Sequence, residues 1–348
     1  MARLFFLISG EYESLSFSEL KAILETEGFT FSVTEELDQT ARIDTDVASI
    51  AQIQRRSAYT RVCALELFIS EATEEAITQA AEATNFCAVI AEGETFAVRI
   101  RRIKEYSTKD STMRLERKLG RLILQNTKGT KVNLKTPTKT FFGVLTGNKL
   151  VFGLRLAEIQ PKPFVERRPR KKPFFHPSAM NAKLARCMVN LAHAKTGKTV
   201  LDPFCGTGTT ILEATIIGCR AIGTDVQTRM VKGTKRNLMH FGLTPEALLI
   251  ADARRPPFVS VDCIVSDPPY GKSATTLKST TKTIVETVLS SSKSLLGKGQ
   301  RICIASPKTI QLAKLGTAQG YRHIESHFGY VHRSLTREIA VFEKVKDE

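Results

Sequence analysis

The chain opens on an apolar run, Arg3 to Ile8, that reads as a strand. Ser16 and Glu19 stand at capping-box spacing, Leu20, Ile23 and Leu24 follow at helical spacing, and Gly28 falls where a C′ glycine belongs. Phe29 to Val33 and Ala41 to Ile43 read as further strands, and Val47, Ile50, Ala51 and Ile53 mark a second helix. This strand–helix–strand–strand–helix order predicts a small α+β domain over residues 1–57, ferredoxin-like in outline. A new unit begins near Tyr59 and is expected to run over 58–157. Arg61 to Ile69 reads as a strand and Glu71 to Ala83 as a helix. Phe96, Val98 and Ile100 alternate with Ala97, Arg99 and Arg101, the pattern of a half-buried strand. Met113 to Leu124 reads as a basic helix. Phe141 to Leu145 and Leu150 to Leu156 flank Thr146-Gly147-Asn148-Lys149, a hairpin signal.

Residues 158–177 read as a linker, because five prolines between 160 and 177 oppose regular structure and favour extended backbone. Helical spacing returns from Ser178, with Met180, Leu184, Met188 and Leu191 on one stripe. Strands at Thr199–Leu201, Arg220–Gly223, Ala247–Ile250, Cys263–Val265 and Gln300–Ala305 then alternate with helices at Thr209–Ile217, Met230–His240, Thr283–Leu296 and Ile310–Gly316. Two C-terminal strands complete the series. This alternation predicts a doubly wound, mostly parallel sheet over 178–348. The fold class is therefore α/β, behind a smaller α+β half.

Charge sharpens this picture. Residues 1–96 hold 6 basic and 17 acidic residues; residues 97–172 hold 21 and 5. The field turns positive near Arg99 and stays positive to the end, within a total of +16. A polyanionic partner is the natural reading. The length of 348 residues and 42% hydrophobic content suit two or three domains and exclude wholesale disorder. No run reaches about 18 uncharged apolar residues, so no membrane span is expected. The N-terminal run lacks a cleavage site and reads as a strand, not a signal peptide. Seven scattered cysteines without a Cys-x-x-Cys pair argue against disulfides and zinc, and for a reducing cytoplasm. No metal site is expected.

Four short segments carry chemistry. Asp202-Pro-Phe-Cys205-Gly206-Thr-Gly208 joins a strand to a helix, and its glycines permit a tight turn and close approach of a ligand. It matches neither Gly-x-Gly-x-x-Gly nor a phosphate loop, and Asp202 suits a positively charged ligand group such as an amine or sulfonium. A Gly-x-Gly after a strand is, alone, equally a tight turn. Asp225 ends the next strand, where a carboxylate can accept from ribose hydroxyls. Asp252 follows the third strand and could accept from the amine of adenine. Each acid alone is more often a cap or turn residue; three at successive strand tips are harder to explain so. Ser266-Asp267-Pro268-Pro269-Tyr270-Gly271 follows the fourth strand. Two prolines stiffen the backbone there, Asp267 and neighbouring carbonyls form an acceptor array for an –NH2 group, and Tyr270 offers a flat face to a nucleobase.

With these residues in view, the chain resembles S-adenosylmethionine-dependent, Rossmann-fold amino-methyltransferases, whose motifs Asp202–Gly208 and Asp267-Pro-Pro-Tyr270 match. The N-terminal half looks like the ferredoxin-like and THUMP domains of tRNA-modifying enzymes. The whole, including Phe174-Phe-His176-Pro177-Ser-Ala-Met180, resembles the archaeal family that makes N2-methylguanosine at position ten of tRNA. The resemblance implies that Asp202, Cys205, Gly206 and Gly208 line the methionine moiety of S-adenosylmethionine. It places Asp225 on the ribose, Asp252 on the adenine, and His176 and Pro177 on the linker side of the cofactor. Asp267 would be the catalytic acceptor, with the Pro268 carbonyl beside it and Tyr270 against the target base. Charge alone nominates Arg99, Arg101, Arg102, Lys104, Arg114, Arg117, Lys118, Arg167, Arg168, Arg170, Lys171 and Lys172 as tRNA contacts. A cytoplasmic monomer is expected.

Other readings compete. Cys205 could be a nucleophile, but it sits in the cofactor loop and amine chemistry needs no covalent step. Adenine N6 of DNA shares the tetrapeptide, although a DNA enzyme has no reason to carry the N-terminal pair. Methylation at position six of tRNA belongs to a neighbouring family, and the shorter N-terminal region with Leu7-Ile-Ser-Gly-Glu11 favours position ten. A non-catalytic RNA-binding module would not need both motifs intact. His323 and His327 are read as surface or core residues.

Overall fold

The structure is a computed structural model describing residues 1–12, 14–104, 111–270, 280–333 and 335–345; the side chain of His332 is not described. The strands are β1 (Ala2–Ile8), β2 (Phe31–Leu37), β3 (Thr40–Thr45), β4 (Thr60–Glu71), β5 (Thr95–Arg102), β6 (Lys131–Val132), β7 (Lys139–Thr146) and β8 (Lys149–Glu158), then β9 (Thr199–Asp202), β10 (Arg220–Asp225), β11 (Ala247–Ile250), β12 (Cys263–Ser266), β13 (Arg301–Pro307), β14 (Tyr321–His332) and β15 (Leu335–Lys344). The helices are α1 (Leu15–Glu27), α2 (Ser49–Arg56), α3 (Glu74–Glu82), α4 (Thr112–Gln125), α5 (Lys162–Glu166), α6 (Ala182–Leu191), α7 (Thr209–Ile216), α8 (Thr228–His240), α9 (Thr281–Lys293) and α10 (Leu312–Ala318). Among the described residues no helix is long and apolar enough to cross a membrane.

Two compact units result. The first comprises residues 1–13, 29–54 and 60–160. Its eight strands form one sheet in the order β2-β3-β1-β4-β8-β7-β5-β6. The boundary expected at 57/58 therefore falls within a continuous sheet, because β1 pairs with β3 on one side and β4 on the other. Alternation along β7 sends Phe141 into a core with Phe86, Phe96 and Phe152, and Phe142 into a second core with Phe5 and Val151. The β7–β8 turn is the expected hairpin: Thr146 pairs with Lys149, and Gly147 and Asn148 both take positive φ.

The second unit comprises residues 14–28, 55–59 and 161–348. Its seven-stranded sheet runs β11-β10-β9-β12-β13-β15-β14. The first five strands are parallel, and β15 is antiparallel to both neighbours. Strand order reverses between β9 and β12, which creates the crevice where doubly wound sheets bind ligands, beyond the carboxyl ends of the strands.

Two sequence expectations need correction here. Glu19 does not close a capping box on α1; the helix begins at Leu15, and Ser14 makes no side-chain cap. Glu19 is instead fully buried and accepts from the backbone N–H groups of Ala58 and Tyr59, from Ser57 Oγ and from Asn190 Nδ2 of α6. The 158–177 segment is not an extended linker either. Pro161 is the N-cap of α5 and Pro163 falls in its first turn, where a missing N–H costs nothing, and Phe164 and Lys172 are buried in the second unit.

Candidate active site

Four parallel strands deliver the predicted acids to one edge of the sheet. Asp202 ends β9 and Asp225 ends β10, while Asp252 and Asp267 follow β11 and β12. Gly206 and Gly208 take φ of +51° and +78°, and between them the chain turns from β9 into α7. A Cβ on Gly208 would stand 2.4 Å from Thr234 Cγ2, so a side chain there is excluded by space as well as by conformation. Thr234 Oγ1 donates to the Gly206 carbonyl at 2.8 Å, and Asn237 Nδ2 donates to the Thr207 carbonyl at 2.9 Å. These two residues of α8 fix the turn. Their spacing is ordinary for a helix, and nothing in the sequence singled them out.

Asp225 accepts from Gly206 N at 3.1 Å and Gln227 N at 2.9 Å. Burial pushes its carboxyl above the usual range, and the two N–H groups oppose that. Asp202 is buried and accepts from Phe204 N at 3.1 Å and from Ser266 Oγ at 3.0 Å. Its carboxyl is pushed up to about 7, chiefly by burial, with nearby Asp267 adding to the rise. Ser266 thus ties the strand bearing Asp267 to the strand bearing Asp202. Asp252 differs from both. It accepts from Arg254 Nε at 2.8 Å and Arg254 N at 2.9 Å, and the Arg254 side chain holds it below the usual carboxylate range.

Cys205 is buried, and burial pushes its thiol well above the usual range. A thiol that resists ionisation is a poor nucleophile. Phe174 exchanges backbone bonds with Asn237, 2.8 Å to Oδ1 and 2.9 Å from Nδ2, and its ring lies against Gly233 of α8. Asn237 therefore bridges the 172–177 segment to the glycine turn. Two residues on, His176 Nδ1 is paired with Ser178 Oγ at 2.7 Å, and Pro177 is exposed.

Asp267 and Tyr270 meet beyond β12; Gly271, which closes the motif, lies outside the described residues. Asp267 Oδ1 is buried and has no hydrogen-bond partner among the described residues, while Oδ2 lies 3.4 Å from Arg337 Nη2. Burial raises the Asp267 carboxyl, against the pull of Arg337 and a hydrogen bond with Tyr270. Tyr270 Oη accepts from Arg337 Nε at 2.6 Å. Arg337 was missed in the sequence because it stands about 70 residues away on an antiparallel strand.

The basic residues divide. Arg167 and Lys172, expected to bind RNA, do not present their charge to solvent. Arg167 makes a two-pronged pair with buried Glu213, at 2.7 and 3.1 Å, and lies over the Phe164 ring. Lys172 Nζ donates to Thr209 Oγ1 at 2.6 Å in the first turn of α7, and burial pushes its ammonium down to about 8. Arg168, Arg170 and Lys171 are exposed. In the first unit, Arg101 and Arg117 are exposed and Arg102 is half-buried. Arg99 is tied to the Leu134 carbonyl, Lys104 to Asp38, and Arg114 and Lys118 share Glu74. His327 is buried against Ser14 Oγ, and half-buried His323 pairs with Ser326 Oγ.

A doubly wound sheet with a Gly-x-Gly turn on one side of the switch point and Asp-Pro-Pro-Tyr on the other is the site of an α/β methyltransferase. Residues 169–338 match the family described as RMKL-like, methyltransferase domain, and residues 69–236 match a DNA methylase family. The chain is 38% identical to the tRNA (guanine(10)-N2)-dimethyltransferase of Methanothermobacter thermautotrophicus, over 97% of this chain and 98% of that protein. It is 30% identical to the enzyme of the same name from Methanocaldococcus jannaschii, over 98% and 99%. The chain belongs to this tRNA (guanine(10)-N2)-dimethyltransferase family. The fold is shared with TrmN from Thermus thermophilus, at TM-score 0.55 and 22% identity over 99% of this chain and 100% of that one. It is shared also with SMU.472 crystallised with SAH, at TM-score 0.57 and 14% identity over the whole of both chains.

Proposed function

We propose that this chain methylates the exocyclic N2 of guanosine ten in tRNA, using S-adenosylmethionine, and carries the product to N2,N2-dimethylguanosine. The observation that carries the chemistry is Asp267 Oδ1, a buried acceptor with no partner among the described residues, one residue from the Ser266 hydroxyl that bonds Asp202. Such an acceptor costs about 1–3 kcal/mol unless something fills it. An amine N–H would.

The residues fit the cofactor. The turn at Gly206 and Gly208 allows close backbone approach, and Asp202 and Asp225 supply carboxylates of raised pKa that a bound cation and ribose hydroxyls would satisfy. His176 and Pro177 belong to a segment anchored to that turn through Asn237. Asp252 can reach adenine once Arg254, which is exposed, turns aside. When bound, S-adenosylmethionine supplies a methyl group on a sulfonium.

Asp267 and the Pro268 carbonyl accept from the guanine amine and draw its nitrogen toward tetrahedral geometry. That frees a lone pair otherwise delocalised into the ring. Tyr270 keeps one face for the base, since Arg337 lies over its ring. Guanosine ten must leave its stack to reach this crevice. The first unit, residues 1–13, 29–54 and 60–160, acts as the tRNA-binding half and carries the ferredoxin-like and THUMP parts on its one sheet. Arg99, Arg101, Arg102, Lys104, Arg114, Arg117, Lys118, Arg168, Arg170 and Lys171 face the phosphates. Ion pairs as exposed as that of Lys104 are weak enough for phosphates to displace.

The test is nucleoside mapping by mass spectrometry on unmodified tRNA incubated with the full chain and S-adenosylmethionine. Dimethylguanosine at position ten is expected. Inosine at that position, which lacks the amine, abolishes it, and Asp267→Ala cuts the rate by orders of magnitude with cofactor affinity nearly unchanged. Methylation at position six or on adenine would overturn the assignment.

A further inference from the structure

One cation from a remote strand holds both Asp267 and Tyr270. Arg337 stands in β15, opposite Pro307 of β13 and Gly329 of β14. Its Nε donates to Tyr270 Oη at 2.6 Å, its Nη2 lies 3.4 Å from Asp267 Oδ2, and its guanidinium carbon is 5.6 Å from the centre of the Tyr270 ring. The Arg337 and Asp267 side chains are 13% and 16% exposed. The two carboxylate oxygens are therefore unequal. Oδ2 faces a fixed cation, and Oδ1 has no partner among the described residues.

We propose that Arg337 is a positioning residue for methyl transfer: its planar fork locks the Asp267 carboxylate against the Tyr270 ring, so that Oδ1 alone is presented to the substrate amine. This rests on the methyltransferase reading above. A guanidinium is rigid and planar, so two contacts made by one group fix the angle between their partners, which a flexible ammonium does not do. Among the described residues, the groups facing Asp267 are Arg337 from β15, Tyr270 from its own loop and Asp202 from β9. Of these only Arg337 is a cation, and it opposes the burial that favours the protonated acid.

A single presented oxygen also suits two successive transfers. In each, the amine nitrogen forms its bond to carbon with its own lone pair, the carbon–sulfur bond breaks with its pair passing to sulfur, and the nitrogen sheds one proton to Asp267 or water. The first-round amine has two N–H bonds and the second-round amine has one. One acceptor serves both.

Single-turnover transfer to unmodified tRNA between about pH 5 and 9, on the full chain, tests this with Arg337→Gln, Arg337→Lys and Tyr270→Phe. Arg337→Gln is expected to slow transfer at least tenfold, with KM for tRNA and calorimetric S-adenosylmethionine affinity within twofold of wild type. The acidic limb of its pH–rate profile moves to higher pH. Arg337→Lys returns that limb toward its place without restoring the full rate, and Tyr270→Phe loses less than Arg337→Gln. A near-normal rate in Arg337→Gln, or a loss confined to KM for tRNA with the limb unmoved, overturns the proposal. If Arg337→Gln fails to fold, Arg337→Lys decides: a rate at least threefold down at unchanged KM supports it, and a wild-type rate overturns it. A wild-type chain that methylates nothing defeats the function and this proposal together; an active wild type matched by Arg337→Gln defeats this proposal alone.

Discussion

Asp202 illustrates what a binding residue costs the fold that carries it. In the native chain its carboxyl keeps a proton up to about pH 7, whereas in an unfolded chain it loses that proton near about pH 4. Between those values the native state binds more protons, so stability falls as pH rises through the window, by roughly 1.4 kcal/mol per unit, and the penalty persists above it. Asp202→Asn keeps an acceptor for Phe204 N and Ser266 Oγ and removes the charge. Without cofactor, this variant is expected to melt with wild type near pH 4 and clearly above it at pH 8, while binding S-adenosylmethionine more weakly. Thermal unfolding across that range checks it, and a gap that does not grow with pH refutes the assignment. Lys172 teaches the converse lesson. Its charge looked like an RNA contact in the sequence, yet it lies against Thr209 beneath the glycine turn.

At the scale of elements, the first helix is part of the catalytic unit. The carboxylate of Glu19 gathers donors from residues 57–59 and from α6, and Arg56 joins Glu27 to Asn190 and the Ala194 carbonyl. Three strands of chain thus share one buried polar network. Glu19→Ala removes the acceptor shared by Ala58 N, Tyr59 N, Ser57 Oγ and Asn190 Nδ2, and a buried donor left unfilled costs about 1–3 kcal/mol. The expected outcome is a sharply lower melting temperature and early proteolysis within α1, with Glu19→Gln milder because it retains an acceptor. Equal melting of Glu19→Ala and wild type would mean the network holds nothing in place.

For the whole molecule, charge is the property that matters to a polyanion. Binding to tRNA is expected to fall about 10³-fold or more between roughly 50 and 200 mM salt if six or more phosphates are contacted. Filter binding separates two classes of basic residue. Arg101→Glu and Arg117→Glu, both on exposed side chains, should weaken binding and flatten the salt slope. Arg167→Ala should leave the slope unchanged and lower stability, because it takes the two-pronged partner from buried Glu213 and leaves that carboxylate to Arg186. A slope altered by Arg167 and indifferent to Arg101 would invert the picture.

Local pattern alone determined the strands other than the two-residue β6, the hairpin at Gly147-Asn148, the glycine turn and the order of acids along the doubly wound half. These depend on backbone preferences and short-range spacing, which are written in neighbouring residues. Asp202, Asp225 and Asp267 were legible for that reason: a parallel sheet brings every such strand tip to one edge. Tertiary structure decided what depends on partners far along the chain. It joined the two expected N-terminal domains through one sheet, moved the first helix into the catalytic unit and turned Glu19 from a cap into a hub. It tied Arg167 to buried Glu213, buried Lys172 and set Arg337 on Asp267 and Tyr270. A charge in a sequence has a sign but no depth, and whether it meets water, phosphate or a buried carboxylate is settled only when distant segments pack.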